Sequence, residues 1–278
     1  MEFLPMCCET IPEEIRAKVE NEINETEENI RNGLKSLKEF LKRENIRSRT
    51  DDAFLLWFLR AQKYNIKKSQ EKLRRYCTMR RNIRELLEGT NIDKIQEVLD
   101  RQMVGVLPHR DKQGRTVIYT RGYAWDPKQI DLDDAARCAI LLIHFCLLFP
   151  MTSIRGFSYI GEARVNSILD IYSIYKILMA HVSTVTAMPC RFQRVDVLNE
   201  NKLFHHLYIA AKPLLPSKLT KRIFLRGKNL EHLKENCHPS ILPYEFGGTM
   251  GPLSNESYRE KFLEFVQKMK SDCVNFVD

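Results

Sequence analysis

The sequence predicts a small all-helical module followed by an α/β domain, and two observations support this. Over roughly the first 90 residues, apolar side chains recur at helical spacing and no stretch alternates as a strand does. From Val117 onward, short β-branched and aromatic runs alternate with longer helical patterns, which is typical of an α/β domain. The 278 residues are 44% apolar and 29% charged, so a full globular core is expected.

Three helical stretches are predicted in the first module. Residues 13–45 carry a narrow apolar stripe on a charged helix or helix pair, with Gly33 as a candidate break. Thr50 is expected to cap the next helix, because acidic residues follow it at the positive helix N-terminus. Residues 67–84 form a basic helix. The apolar face of the middle helix holds Phe54, Leu55, Phe58 and Leu59.

Strands and helices alternate in the second part of the chain. The predicted strands are 117–119, 154–160, 192–198 and 223–225. The predicted helices are 133–149, 165–187, 202–215 and 257–270. A turn at 111–114 introduces the first strand, and prolines at 213 and 216 end the helix that begins at 202.

The net charge of +8 is concentrated in two basic zones. Residues 60–84 carry ten Lys or Arg against one acidic residue, and residues 189–234 carry ten against three. Because the rest of the chain is acidic overall, an anionic partner is indicated: nucleic acid, phospholipid or a phosphorylated small molecule.

Cysteine usage and hydropathy favour a reducing compartment. Eight cysteines without a CxxC pair indicate free thiols, not a disulfide framework. Cys7 and Cys8, on an arm expected to be mobile, are either idle thiols or palmitoylation sites. The apolar run at 138–149 is shorter than the roughly 20 residues that cross a bilayer, and the first residues lack the pattern of a secretory signal.

Motifs for enzymatic chemistry are missing from the sequence. There is no GxGxxG after a strand, no P-loop, no HExxH, no GxSxG and no kinase signature. His144 and His181 lie on apolar helices, where a hydrogen-bonded core histidine is more common than a catalyst. His205 and His206 cannot share one helix face. We therefore predict no catalytic residue, no metal ligand and no cofactor, and we do not expect an enzyme.

The stretch 188–226 carries the strongest functional signal. Apolar residues recur at i, i+3 and i+4 along 202–215, so this helix either closes a core or forms a mobile lid over an apolar cavity. Lys218, Lys221 and Arg222 follow at i, i+3 and i+4, which puts them on one helix face, either solvated or anion-binding. Basic charge beside an apolar helix suits an anionic membrane surface.

Four motifs occur in an order typical of one family. They are TDDAFLLWFLRA at 50–61, DKQGRTV at 111–117 with WDP at 125–127, a lid-like region that includes NE at 199–200, KP at 212–213 and KLTKRI at 218–223, and ILPYEFGG at 241–248. Together they resemble the CRAL-TRIO lipid-transfer family from about residue 48 to 252, nearest to its tocopherol- and retinaldehyde-binding branch.

The resemblance implies a lipid-binding domain in which a mixed β-sheet floors an apolar pocket and the helix at 202–215 is the gate. It also implies a basic cleft for phosphoinositide head groups beside the gate. The family's basic positions match Arg191, Lys218 and Arg222, whereas a fourth falls on Gln193. The candidate phosphoinositide-binding residues are therefore Arg191, Lys218 and Arg222, with Arg194 and Lys221 as neighbours.

Pocket-lining residues follow from strand alternation together with the family register. Alternate residues of the strand at 154–160 are expected to face the ligand, as are single faces of three helices, although plain core packing explains these residues equally well. The candidates are Ile154, Ser158 and Ile160 on the strand with Gly156 between them, Ala139, Ile143, Ala180 and Thr184 on two helices, and Phe204, Leu207 and Tyr208 on the gate.

The predicted organisation is an N-terminal arm at 1–12, a helical domain at 13–92, a CRAL-TRIO domain at 93–252 and a C-terminal helix at 253–278. The predicted function is an intracellular carrier of one retinoid, tocopherol-like or carotenoid molecule, exchanged at phosphoinositide-containing membranes. We expect a cytoplasmic monomer that associates transiently with membranes. A lipid-sensing signalling adaptor is the alternative. A nucleic-acid-binding protein ranks far lower, because the basic helix lacks an aromatic stacking platform, and nucleic acid is not expected as a partner.

Overall fold

A five-stranded sheet lies at the centre of the computed structural model, which describes residues 4–7, 9–79, 85, 88–126, 129–164, 184–215 and 217–271. The strands are β1 (Val104–Val106), β2 (Thr116–Arg121), β3 (Phe157–Glu162), β4 (Phe192–Leu198) and β5 (Ile223–Leu225). Their order in the sheet is their order in the chain, with β1 antiparallel to β2 and the others parallel. The predicted α/β class with a mixed sheet is confirmed.

The described residues between 13 and 78 form helices, as the apolar periodicity predicts. These helices are α1 (Glu13–Ile23), α2 (Glu27–Arg43), α3 (Asp52–Ala61) and α4 (Ile66–Thr78). The break between α1 and α2 falls at Asn24, which has a left-handed φ of 60°, and not at Gly33. Gly33 lies inside α2, where an added Cβ would lie 2.9 Å from both methyl groups of Leu59. This glycine therefore serves a close helix contact.

Helix α3 begins one residue later than the predicted cap implies. Asp51, and not Thr50, is the N-cap, since its carboxylate accepts a hydrogen bond from the backbone N–H of Phe54 at 3.0 Å. Phe54 and Phe58 then pack edge-on against Tyr76 of α4, with ring centroids 5.7 and 5.4 Å apart. The aromatic residues predicted for this face thus join the two helices.

Two predicted helices lie only partly within the described residues. The basic helix predicted at 67–84 corresponds to α4, which ends at Thr78, and residues 80–84 lie outside the described part of the chain. The helix predicted at 165–187 is helical at 184–187, and residues 165–183 lie outside it. The pocket candidate Ala180 falls among those undescribed residues.

The strand predicted at 154–160 begins three residues later, at Phe157. Pro150 opens a short helix, Pro150–Arg155, immediately before the strand, because proline suits the first turn of a helix. Ile154 lies in that helix and not in the strand, so its assignment to a strand face is wrong. Gly156 ends the helix with φ 77°, and a Cβ there would clash with the carbonyl oxygen of Arg191.

The remaining helices cover the sheet and close the chain. They are α5 (Ile92–Asp100), α6 (Leu132–Leu147), α7 (Pro150–Arg155), α8 (Lys202–Ala211), α9 (Ser217–Thr220), α10 (Glu231–Lys234) and α11 (Glu256–Ser271). The predictions at 133–149, 202–215 and 257–270 are confirmed with small shifts at their ends. Helix α5 and strand β1 are not predicted, since both are short and β1 contains a glycine.

The sheet separates two hydrophobic cores. On one side, Ile118 and Phe157 pack with α6, α11 and the helices of the N-terminal module. On the other side, Tyr119 and Ile160 pack with residues of the segment 230–253, such as Leu242. The first core is continuous from the N-terminal module to the C-terminal helix, so the predicted domains share one apolar interior.

The N-terminal arm is docked against the α/β part over its described residues. Met6 is buried, and its backbone N–H donates to the carbonyl oxygen of Pro108 at 2.7 Å. The fully buried guanidinium of Arg110 donates to the carbonyl oxygens of Pro5 and Met6. The expectation of a mobile arm is wrong for residues 4–7, because these contacts fix their backbone. Cys8 lies outside the described residues.

A buried ion pair joins the helical module to the α/β part. Arg60 of α3 pairs with Glu25 at 2.7 Å, and the two side chains are only 11% and 9% exposed. Arg60 also donates to the hydroxyl of Ser153 in α7 at 2.8 Å. One guanidinium therefore connects the turn after α1, helix α3 and helix α7.

We predict that Glu25→Gln destabilises the protein by about 3 kcal/mol, because it leaves the buried Arg60 charge without its counter-ion. Urea unfolding followed by circular dichroism measures this free energy. Glu231→Gln breaks the exposed pair between Glu231 and Lys234 and should cost less than about 1 kcal/mol. Equal losses in the two variants would contradict the structural role of the Arg60 pair.

Candidate functional site

The two faces of the sheet are set by the register of β3. Val117, Tyr119 and Ile160 belong to the core on the side of the segment 230–253, and Ile160 is 1% exposed there. Ser158 lies opposite Val117 in the register and shares its face. Protein side chains fill this face, so Ser158 and Ile160 share one face as predicted and that face lies toward a packed core.

The side chains that alternate with these residues point to the opposite face of the sheet, toward α6. Ile118 is paired with Tyr159 in the sheet, and Tyr159 with Val195. The next residues on this face are Val197 and, on β5, Ile223 and Leu225. These residues are not among the predicted pocket residues. Both faces of the strands carry apolar side chains, so local sequence pattern does not select one face over the other.

The handedness of crossover connections predicts that helix α8 lies on the same side of the sheet as α6. Strands β2 to β5 are successive parallel neighbours running in one direction across the sheet, and right-handed crossovers put all their connecting helices on one face. The face with Tyr159 and Val197 is thus the one that the gate helix can cover.

The gate helix presents two different surfaces. Asn201 caps it, accepting from the backbone N–H of Phe204 at 3.0 Å. Leu207 is buried, and Phe204 and Tyr208 are half-buried. On the outer surface Ile209 is 55% exposed. The predicted apolar stripe therefore points inward, and one large apolar side chain remains accessible to solvent.

The other pocket candidates occupy the neighbourhood of the α6 core. Ile143 is buried in that core and Ala139 packs against it while half-buried. Thr184 is buried in the helical residues 184–187, next to Val185 of the same cluster. The structure brings these residues to the α6 side of the sheet, whereas Ser158 and Ile160 are on the other side.

Arg191 and Arg222, from the predicted basic cleft, are held by backbone carbonyls. Arg222 donates to the carbonyl oxygen of Phe192 at 2.7 Å, and Arg191 donates to that of Ile154. Burial lowers the pKa of Arg191 to about 10, and the positive charge of Arg222 acts in the same direction. Because Arg222 donates to the residue that follows Arg191, the two arginines are neighbours where β4 and β5 begin.

Lys218 and Lys221 are exposed on the surface beside that pair. Helix α9 ends at Thr220, so the spacing of Lys218, Lys221 and Arg222 does not place them on one face of a helix. Arg222 is half-buried and turned toward β4, while the two lysines remain in solvent. The one-face prediction is wrong because a four-residue helix is too short to carry it.

Arg194 is held by contacts within the protein. It lies opposite Ser158 in the register, on the far face of the sheet, and pairs with Asp196 at 2.5 Å and with Glu235 at 3.5 Å. Its guanidinium also lies over the ring of Phe224, 5.0 Å from the centroid. The charge of Arg194 is therefore engaged by acidic side chains of the protein, unlike those of Arg191 and Arg222.

His144 is a core residue, as expected from its apolar helix. Its Nε2 lies 3.2 Å from the hydroxyl of Tyr76 and its Nδ1 lies 3.0 Å from the carbonyl oxygen of Ile140. Burial lowers the pKa of His144 to about 4. His181 lies outside the described residues. Among the residues that the structure describes, no group of three His, Cys, Asp or Glu side chains could hold a metal ion.

A helical module, a mixed sheet with one closed face and a crossover helix followed by basic residues make up an α/β domain with helical N-terminal packing. No helix within the described ranges is long and apolar enough to cross a membrane.

The comparisons with known proteins identify the family. The model of the CRAL/TRIO domain matches residues 100–248. The chain therefore belongs to the CRAL/TRIO domain family of lipid-binding proteins, and the resemblance of its motifs is confirmed.

Individual relatives cover most of the chain. It is 28% identical to the alpha-tocopherol transfer protein-like protein of Homo sapiens over 258 residues, 91% of this chain and 75% of that protein. It is 32% identical to clavesin-1 of Rattus norvegicus over 221 residues, 77% of this chain and 62% of that protein. The crystal structure of Sfh5 shares the fold with a TM-score of 0.61 at 13% identity, covering 88% of this chain and 98% of Sfh5.

Proposed function

We propose that this protein is a non-enzymatic carrier that binds one hydrophobic molecule on the α6 side of its sheet and exchanges it at phosphoinositide-containing membranes. A retinoid, a tocopherol-like molecule or a carotenoid is the proposed ligand class. The name of the tocopherol transfer protein-like relatives supports a tocopherol-like ligand. We further propose that the carrier is a cytoplasmic monomer and associates with membranes only transiently.

The observation that carries the proposal is the difference between the two sheet faces. One face is closed by a packed core around Ile160 and Leu242. The other carries aliphatic side chains at Val195, Val197 and Ile223, and a right-handed crossover from β4 to β5 would put the gate helix on this side. An apolar sheet face under an amphipathic helix suits a hydrophobic ligand, which needs few polar partners.

The basic helix α4 supports a nucleic-acid partner less well. Lys72 donates to the carbonyl oxygen of Thr186, and Arg74 pairs with Glu44 at 2.8 Å while lying over the ring of Phe40. These charges serve contacts within the protein. A lipid-sensing adaptor would use the same pocket and gate, and it differs from a carrier in its rate of ligand exchange.

Native mass spectrometry of the purified protein, with extraction and identification of bound lipid, tests the proposal. We expect one hydrophobic molecule per chain, and rapid loss of that molecule to acceptor vesicles. Protein that co-purifies without a ligand and takes none up from vesicles would contradict carriage. A bound ligand that does not exchange would favour the adaptor.

If the ligand binds on the α6 side of the sheet, a tryptophan substitution should have different effects on β4 and on β3. Val197→Trp should fill ligand space, abolish lipid uptake and change the free energy of unfolding by less than about 1 kcal/mol. Ile160→Trp should overpack the closed core and cost about 1–3 kcal/mol, with uptake retained in the folded fraction. Urea unfolding and uptake of a fluorescent lipid measure the two effects. Reversed results would place the ligand on the other face.

If helix α8 is the gate, substitutions on its apolar face should change the rate of lipid transfer. Phe204→Asp with Leu207→Asp should slow transfer between vesicles by about tenfold or more, because the opened helix must bury this face at the headgroup boundary. The rate is measured on preloaded protein, so that weaker retention does not affect it. His205→Asp changes an exposed position of the same helix and is the matched control. An unchanged rate in the double variant would exclude the gate role.

The basic cleft predicts a binding effect separate from the ligand pocket. Arg191→Glu with Arg222→Glu should weaken binding to phosphoinositide vesicles by about 100-fold or more, while ligand loading from detergent survives. Lys35→Glu with Lys228→Glu makes the same change in net charge at exposed positions and should have a small effect. Arg194→Gln should bind as wild type does. Sedimentation with vesicles measures each variant, and wild-type binding by the first pair would exclude this head-group site.

A further inference from the structure

Three arginines lie at one edge of the sheet, just before three neighbouring parallel strands. Arg155 and Gly156 precede β3, Arg191 precedes β4 and Arg222 precedes β5. Parallel strands begin at the same edge, so these residues are brought side by side. Hydrogen bonds confirm the juxtaposition: the N–H of Phe157 donates to the carbonyl oxygen of Arg191 at 2.8 Å. Arg155 is not one of the residues predicted for the cleft.

The guanidinium groups at this edge retain unused donors. Arg191 and Arg222 each give one N–H to a backbone carbonyl. The Nε atoms of Arg155 and Arg191 are buried and have no hydrogen-bond partner in the described part of the chain. Buried donors without acceptors are costly, and an anion with several oxygens would satisfy them.

One carboxylate already reaches this edge from the helical module. Glu22, in the last turn of α1, pairs with Nη1 of Arg155. Its side chain is 58% exposed, whereas that of Arg155 is 12% exposed. The charges of Glu22 and Arg155 both act on Arg191. The neighbouring Glu25 is engaged by Arg60, so Glu22 is the acid that a ligand can displace.

We propose that Arg155 is a further head-group ligand of the basic cleft, and that Glu22 occupies its guanidinium until a phosphorylated inositol head group displaces the carboxylate. The inference rests on the proposed phosphoinositide site and adds to it a ligand residue and a competing internal anion. The cleft would then contain a third arginine, Arg155, although Gln193 occupies the family's fourth basic position.

Charge and geometry favour displacement of the Glu22 carboxylate from Arg155 by a phosphate group. The Glu22 carboxylate offers two oxygens from an exposed side chain, whereas a phosphate offers three oxygens with more charge and suits the planar fork of an arginine. The contact with Glu22 links the α1 helix to the edge of the sheet. Head-group binding would therefore release the end of α1 from the α/β part.

Glu22→Gln tests the proposal, because it removes the competing charge and keeps the size of the side chain. We expect about tenfold tighter binding to phosphatidylcholine vesicles containing phosphatidylinositol bisphosphate, and a similar gain for soluble inositol trisphosphate measured by calorimetry. Glu20→Gln makes the same charge change at an exposed position of α1 and should bind as wild type does. Arg155→Gln in the Glu22→Gln background should remove the gain.

The outcomes distinguish the proposed role of Arg155 and Glu22 from the proposed head-group site itself. A gain that appears for both probes, is absent in Glu20→Gln and is lost with Arg155→Gln supports the inference. Wild-type affinity in Glu22→Gln, an equal gain in Glu20→Gln, or a gain that survives Arg155→Gln would overturn it while leaving the proposed head-group site intact. A gain with vesicles alone would show surface attraction and overturn it as well. No binding of either probe by any variant would overturn the head-group site itself.

Discussion

Strand β3 runs through the middle of the sheet, and its side chains alternate between two separate hydrophobic cores. Tyr159 packs on the side of α6, while Ile160 packs with Tyr119 and Leu242 on the other side. A shift of one residue would send each side chain into the wrong core. The two faces of the sheet both depend on this register, in which Tyr159 lies opposite Ile118 and Ile160 lies opposite Tyr119.

The second constraint is the electrostatic junction between the helical module and the edge of the sheet. Arg60 connects Glu25 to Ser153, and Glu22 connects α1 to Arg155. The helical module therefore has a role beyond covering apolar surface. Its acidic residues Glu22 and Glu25 pair with Arg155 and Arg60, close to where the parallel strands begin.

The distribution of basic residues is more selective than their number suggests. Lys72 and Arg74 hold helices together, Arg110 anchors the N-terminal arm, and Arg194 is paired on the far face. Arg191 and Arg222 keep unused donors or solvent-facing charge next to the gate. Charge in the sequence indicates an anionic partner, but only the pairing of each cation shows which charges remain for that partner.

Local pattern alone determined the α/β class, the helical module, the family motifs and the apolar stripe of the gate, because periodicity and capping act over a few residues. It did not determine where β3 begins, since Pro150 and Gly156 divide the predicted strand into a helix and a shorter strand. It also could not show that Arg194 faces its acidic partners or that Arg155 lies beside Arg191 where the strands begin. Those positions follow from the parallel register, which aligns residues distant in the chain and which only the tertiary structure decides.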